Sequence, residues 1–451
     1  VKALPREPFL ESLAVKRQFV EQLRHDEIGW FFVQSCVDAL PLRKGEVQLA
    51  PLRRALGNQV QSLQGRRTIR MRTFEVKRST TQPRSAIQTV SRELRRSPLL
   101  ALIFFVPVVI LLERIAPKAH TLLFFVAIAA IVPLAALLSR ATESVAAKTG
   151  DAVGGLLNAT LGNLTELIIT LAALQAGQYL LVKASIAGAI VTNSLFMFGG
   201  AFLLGGLKHH LQEFNRVNAR FQASLLFLAT IAILVPSLTS GLDRTPASEF
   251  SQQLSLGLAI LLIAVYGLGM VFSVKTHKEL FASVAQAEAG EEPWPLSIGI
   301  VVLIVVTLLV AMVSEIFVGS VQAAAQHLGL TPAFVGFIVI ALVGGAAEMT
   351  TAFSAARANR LDLSVGIALG SAAQIALFVA PVLVLVSYFI GPQPMSLEFW
   401  PGAVAMMLVA TMAATLLSNG GQAAWYAGVM ALAVYAIFAL TLFLLPPGVP
   451  Q

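Results

Sequence analysis

Two glutamates hold most of the chemistry that this sequence could perform. Glu166 lies in Gly162-Asn163-Leu164-Thr165-Glu166-Leu167-Ile168 and Glu348 in Gly344-Gly345-Ala346-Ala347-Glu348-Met349, each within a long apolar stretch. A carboxylate placed in hydrocarbon costs on the order of a few kcal/mol even on lenient insertion scales, so an acidic residue kept there points to an ion or proton pathway. A packing hydrogen bond from a protonated carboxyl is the plainer reading of either residue alone, but it gives no reason for a matched pair. Two carboxylates at one place offer two negative charges and up to about four oxygens, whereas a hard cation such as Ca²⁺ takes six to eight. Asn163, Asn193, Ser371 and Gln374 are candidates for the missing oxygens, and Gly162, Gly344 and Gly345 can loosen a helix to free backbone carbonyls. The same small and amide residues also suit close helix packing. Carboxylates away from water bind protons readily and a dication displaces them, so the same oxygens can serve H⁺. The ions are cargo, and no resident cofactor is implied.

Glu143, read as following the second apolar run, and Glu315, inside the seventh, are candidates for a cation pathway or for solvated positions at the membrane interface. The six histidines, His25, His120, His209, His210, His277 and His327, fall in the tail or in loops on this reading, with His209-His210 a charged helix end rather than a metal site. Without a zincin, phosphate-loop or nucleophile motif the chain does not read as an enzyme. The single cysteine, Cys36, permits no disulfide framework within one chain.

What must position the glutamates is an internal repeat. Shifting the chain by 182 residues aligns Val153-Gly154, Ala159, Gly162 and Glu166 with Val335-Gly336, Ala341, Gly344 and Glu348, then Gly188, Leu195 and Phe196 with Gly370, Leu377 and Phe378. Apolar helices resemble one another by composition, but glycines and a lone acid in fixed register are a stronger signal. Equivalent runs stand five places apart in the order. An odd number reverses direction, so the repeats are expected to be inverted, with the substrate at their interface near the bilayer midplane and alternating access by rocking one set of helices against the other.

The composition demands a bilayer: 56% of the 451 residues are hydrophobic and 12% charged, with a mean hydropathy of +0.77. Eleven apolar runs of spanning length follow Pro98, near 99–116, 119–139, 151–175, 179–206, 220–240, 252–273, 295–318, 332–356, 362–389, 397–417 and 423–446. The expected fold is therefore an all-α polytopic membrane protein, one extra N-terminal helix plus two five-helix repeats. No apolar run precedes residue 99, and no cleavable signal peptide is read.

The net charge of +8 comes from residues 1–97, which carry 19 Lys/Arg against 9 Asp/Glu. A basic tail just before a span marks the cytoplasmic side more simply than it marks a nucleic-acid partner. Arg140/Lys148, Lys208/Arg216/Arg220, Lys275/Lys278 and Arg357/Arg360 lie in alternate breaks and give the same orientation. The expected layout is a basic cytoplasmic segment 1–97, an extra helix 98–118, a first repeat 119–274, an acidic cytoplasmic linker helix 275–294 with Glu279, Glu288, Glu291 and Glu292, and a second repeat 295–447. Membrane lipid and the transported ions are the expected partners, with no nucleic acid; oligomeric state leaves no mark in the sequence.

The stretch Gly154-Gly155-Leu156-Leu157-Asn158-Ala159-Thr160-Leu161-Gly162-Asn163-Leu164-Thr165-Glu166-Leu167-Ile168 resembles the first signature of the Ca²⁺/H⁺ antiporter (CAX) family of the cation/Ca²⁺ exchanger superfamily. Leu361-Asp362-Leu363 and Gly366-Ile367-Ala368-Leu369-Gly370-Ser371-Ala372-Ala373-Gln374-Ile375-Ala376-Leu377-Phe378 resemble the second, and the resemblance covers roughly residues 98–446. It implies an antiporter exchanging Ca²⁺ for H⁺, with the cation site at Glu166 and Glu348 supported by Asn163, Asn193, Ser371 and Gln374. Where the second signature usually has asparagine and histidine, this chain has Gly345 and Met349, removing one hard ligand and one titratable group. A methionine sulfur is a poor Ca²⁺ ligand, so Met349 is expected to pack. The change leaves other cation pairs, Na⁺/Ca²⁺, Mn²⁺/H⁺ or Na⁺/H⁺, as alternatives; a cation channel fits the repeat less well. A prokaryotic plasma membrane with a cytoplasmic N-terminus is the expected location, a vacuolar membrane the alternative.

Overall fold

The computed structural model describes residues 98–239, 247–280 and 293–445. The basic segment 1–97 and the linker positions Glu288, Glu291 and Glu292 lie outside the described residues. The described chain is almost wholly helical. A 3₁₀ turn, Pro98–Phe104, leads into α1 (Phe105–Ile115), followed by α2 (His120–Lys148), α3 (Asp151–Leu161), α4 (Leu164–Gln175) and α5 (Tyr179–His209). Next come α6 (Arg216–Thr239), α7 (Ala247–Val271), α8 (Leu296–Leu328), α9 (Pro332–Gly344) and α10 (Ala346–Arg357). The chain ends with α11 (Leu361–Val386), α12 (Pro401–Ser418) and α13 (Trp425–Leu444).

Among the described residues, eight helices are long and apolar enough to cross a membrane, or nine if the bent pair α9–α10 counts as one crossing. Their outward faces carry large apolar side chains such as Leu268 (70% exposed), Leu308 (65%) and Leu416 (70%). So much apolar surface is stable only against lipid, and helices suit that solvent because they satisfy their backbone hydrogen bonds internally.

The most buried spans are α5 and α11, and α2 and α8 pack antiparallel along their length. Phe124 stacks on Phe317 with ring centroids 5.4 Å apart, while a Cβ on Gly299 would lie 3.0 Å from Val145 Cγ2. The glycine lets the helices close at that end, where the Trp294 amide also donates to Ser144 Oγ at 3.3 Å. Element boundaries recur at the 182-residue shift: α4, Leu164–Gln175, and α10, Ala346–Arg357, correspond residue for residue. A π turn interrupts α5 at Thr192–Met197 and another interrupts α11 at Ile375–Val379.

Some boundaries differ from expectation. The second apolar run was expected to end at 139, yet α2 continues to Lys148, so Arg140 and Glu143 lie on the helix and not after it. Ser139 Oγ donates to Glu143 at 3.2 Å and Arg140 pairs with it at 3.8 Å. Hydropathy marks where hydrocarbon ends, whereas local polar pairs carry a helix on into water. α8 likewise continues beyond its apolar run to Leu328, where Gly329 caps it with φ 67°. His120, His209 and His327 accordingly belong to helix ends, not loops. Two short strands, β1 (Leu211–Glu213) and β2 (Gln422–Ala424), pair antiparallel; three-residue strands leave no usable pattern in a sequence.

Candidate cation-binding site

Both glutamates stand just after a break in a helix. Between α3 and α4 the break falls at Gly162 and Asn163 (φ −99°, ψ 29°). Between α9 and α10 it falls at Gly345 (φ −78°, ψ 4°), and the axes bend by 58°. Glu166 and Glu348 thus occupy the first turns of α4 and α10, where the helix dipole favours negative charge. Close approach brings them together: a Cβ on Gly344 would lie 3.0 Å from Glu166 Cγ and 3.2 Å from its Cδ and Oε1. Glu166 therefore rests on the backbone of the other break, and any larger residue at 344 would displace it. The two carboxylates lie within electrostatic reach of one another, and Glu348 is beside Ser371.

The four supporting residues form one hydrogen-bonded chain across the repeats. Asn193 Nδ2 donates to Ser371 Oγ (2.8 Å), Ser371 Oγ donates to Asn163 Oδ1 (2.7 Å), and Asn163 Nδ2 donates to Gln374 Oε1 (2.7 Å). Asn193 belongs to the π turn in α5, and Gln374 immediately precedes the one in α11; an extra residue in the turn re-aims side chains at such points. Glu166, Asn163, Asn193 and Ser371 are all buried. Two acceptors nevertheless have no hydrogen-bond partner, Asn193 Oδ1 and Glu348 Oε2. Buried polar atoms are seldom left so, and two unpaired oxygens in one region are of the donor type that a hard cation takes. Among the described residues no group of three or more His, Cys, Asp or Glu could hold a metal, so a cation here would draw its remaining ligands from amide, hydroxyl and backbone oxygens.

Glu143 and Glu315, expected at related places, are far apart. Glu143 is 46% exposed on α2 and close enough to Glu348 for their charges to interact. Glu315 lines a separate cavity of about 400 Å³ with Glu113, Arg114 and His120. His120 and Glu143 are 23 residues apart on the same helix, about 35 Å at 1.5 Å per residue. Only Glu143 adjoins the site. Met349 packs as expected, buried with Met197, Phe198 and Phe202. Its Cε would stand 3.1 Å from a Cβ on Gly345, and Asn193 Oδ1 would stand 3.5 Å from it.

Sequence reasoning missed the pair that braces Asn193. Thr192 Oγ1 bonds to the Tyr435 hydroxyl of α13 at 3.3 Å, both side chains buried. The available signal was a tyrosine in the middle of an apolar span, whose hydroxyl needs a partner. The repeated glycines divide in role: a Cβ on Gly188 would come within 2.1 Å of Phe337 O, so α5 and α9 cross there in contact, whereas one on Gly370 would find its nearest neighbour at 4.0 Å.

The model of the sodium/calcium exchanger protein family matches residues 119–275 and 298–444. A Ca(2+)/H(+) antiporter of Aphanothece halophytica is 42% identical over 343 residues, 73% of this chain and 91% of the relative. The Ca(2+)/H(+) antiporter ChaA of Bacillus subtilis is 40% identical over 327 residues, 72% of this chain and 92% of the relative. The solved structure of native YfkE is 35% identical, covers 77% of this chain and all of its own, and superposes with a TM-score of 0.67. The tandem match to both halves and the likeness along nearly the whole of these relatives make the chain a member of the sodium/calcium exchanger protein family.

Proposed function

We propose that the chain is a secondary antiporter that exchanges Ca²⁺ for H⁺ at a site shared by Glu166 and Glu348. The observation that carries this reading is the pair of buried acceptors without partners, Glu348 Oε2 and Asn193 Oδ1, beside a helix break against which Glu166 also rests. Carboxylate oxygens of both glutamates bind Ca²⁺, aided by oxygens of Asn163, Asn193, Ser371 and Gln374 and by carbonyls at the Gly162 and Gly344 breaks. Protons compete for the same carboxylates, and two protons balance the charge of one Ca²⁺. Glu143 serves as the approach to Glu348. The likeness to two bacterial Ca(2+)/H(+) antiporters supports this ion pair.

Eleven crossings accommodate the site. Pro98–Ile115 and the broken pair Asp151–Leu161 and Leu164–Gln175 add two to the nine counted by length. The matching bounds of α4 and α10 and the antiparallel packing of α2 on α8 support two inverted five-helix repeats, 119–274 and 295–447, after the extra helix 98–118. Segments 1–97 and 275–294 face the cytoplasm of a prokaryotic cell, and alternating access follows from rocking of the repeats.

The test is ⁴⁵Ca²⁺ uptake into proteoliposomes under an imposed pH gradient. Glu166→Gln and Glu348→Gln should each lower uptake by about 100-fold or more, because each removes a charged ligand that cannot be replaced. Uptake that ignores the gradient, or survives in both variants, overturns the exchange; uptake that follows a Na⁺ gradient instead selects the sodium-coupled reading.

A further inference from the structure

The far end of α10, the helix that begins with Glu348, is held by a segment from the other half of the chain. Its last turn leaves carbonyls that the helix itself cannot satisfy. Arg357 O accepts from Lys208 Nζ at 2.8 Å and from His209 Nε2 at 3.0 Å. Gln212 Nε2 donates to Ala356 O and to Asn359 Oδ1, both at 2.9 Å, and the Asn215 amide donates to Asp362 Oδ1. Asn359 turns the chain in the left-handed region at φ 61°. Gln212 is 2% exposed, and a Cβ on Gly205 would stand 1.9 Å from its Oε1, so the glycine makes room for this reach.

The equivalent end of α4 has the same backbone closure, the Asn359 amide on Ala356 O in α10 matching one bond in α4, but no such side chains reach it among the hydrogen bonds of the described residues. Its Leu174 O, at the place of Ala356 in the repeat, accepts the Gly177 amide. Gly391 backs onto that carbonyl, its Cβ position 3.0 Å away. Both helices thus share one backbone closure, and only the Glu348 helix adds the side chains of Lys208, His209 and Gln212 in trans, donors placed where a helix C-terminus favours them.

We propose that Lys208, His209 and Gln212 are positioning residues for Glu348. A 12-residue helix is about 18 Å long, so a tilt of about 5° released at the capped end moves its first turn by about 1.5 Å. Ligand distances at a metal tolerate about 0.2 Å. Loosening the cap therefore costs the site its Ca²⁺ geometry while the glutamate itself stays present.

Lys208 is exposed, which makes Lys208→Met compatible with folding; Lys208→Arg keeps a donor for the carbonyl, and Gln212→Glu keeps the shape but replaces the donor with an acceptor. In the full chain in lipid nanodiscs, hydrogen exchange of residues 346–357 should accelerate about tenfold in Lys208→Met, with 164–175 unchanged. In proteoliposomes the Ca²⁺ KM should rise about three- to tenfold with the maximal rate within about twofold, and Lys208→Arg should restore both readouts. Gln212→Glu should shift both further in the same direction. Unchanged exchange in α10, an unchanged KM, or an arginine variant as impaired as the methionine one overturns the proposal. The KM arm rests on the proposed Ca²⁺/H⁺ exchange; a wild-type chain that moves no Ca²⁺ refutes that function, and hydrogen exchange then decides the capping role by itself.

Discussion

The two helix breaks beside the glutamates share a backbone plan and differ in chemistry. At the first, Asn163 supplies an amide that bonds both Ser371 and Gln374. At the second, the equivalent position is Gly345, and the room that a side chain there would use is bounded by Met349 Cε and Asn193 Oδ1. Asn193 comes from α5 in the first half, so both asparagines of the network belong to one repeat and their partners Ser371 and Gln374, on α11, to the other. Each helix break is followed by one carboxylate, Glu166 or Glu348. The neutral oxygens need only converge, and either half can supply them.

The repeated glycines give the largest test of this contrast. Gly188→Ala drives a Cβ to within 2.1 Å of the Phe337 carbonyl; overpacking against backbone that cannot yield should cost about 3 kcal/mol or more, read as a collapse of folded yield and thermal stability in detergent. Gly370→Ala, its repeat equivalent, has no atom closer than 4.0 Å and should leave the melting temperature within about 2 °C of wild type. Equal effects would mean that the two crossings are alike.

A smaller change is expected at the second break. Gly345→Asn alone pushes on Met349 Cε and on Asn193, and should lower the Ca²⁺ uptake rate by about tenfold. Adding Met349→His removes the crowding methyl and supplies a polar neighbour, so the double variant should recover uptake and bind Ca²⁺ more tightly than Gly345→Asn. A double variant no better than the single one would show that Asn193 has permanently taken the place of the missing amide.

Most of what builds the site could be read in the residues themselves. The 182-residue register paired the two acids and the glycines beside them, because glycine and a lone acid are costly in an apolar helix. That the runs 151–175 and 332–356 each divide into two helices, with α4 and α10 beginning just before the acids, was not read. Asn163, Asn193, Ser371 and Gln374 were found as polar exceptions within apolar spans, although their order in the hydrogen-bonded chain depends on π turns that have no residue signature. Glu315 was grouped with Glu143 because both are acids near the ends of apolar runs; hydropathy could not tell which end of α2 each would adjoin. Of the residues that reach the end of α10, His209 was read only as part of a charged helix end, Lys208 only as a basic break and Gln212 not at all, since contacts between residues about 150 positions apart and outside the apolar spans leave no periodicity.

That the two glutamates form one site is tested most directly by counting bound ions. Isothermal titration of the purified chain at a pH above the carboxylate range should give one Ca²⁺ per wild-type chain, and no detectable binding for either Glu166→Gln or Glu348→Gln. Two Ca²⁺ per wild-type chain, or one retained by each variant, would mean that the glutamates serve separate sites.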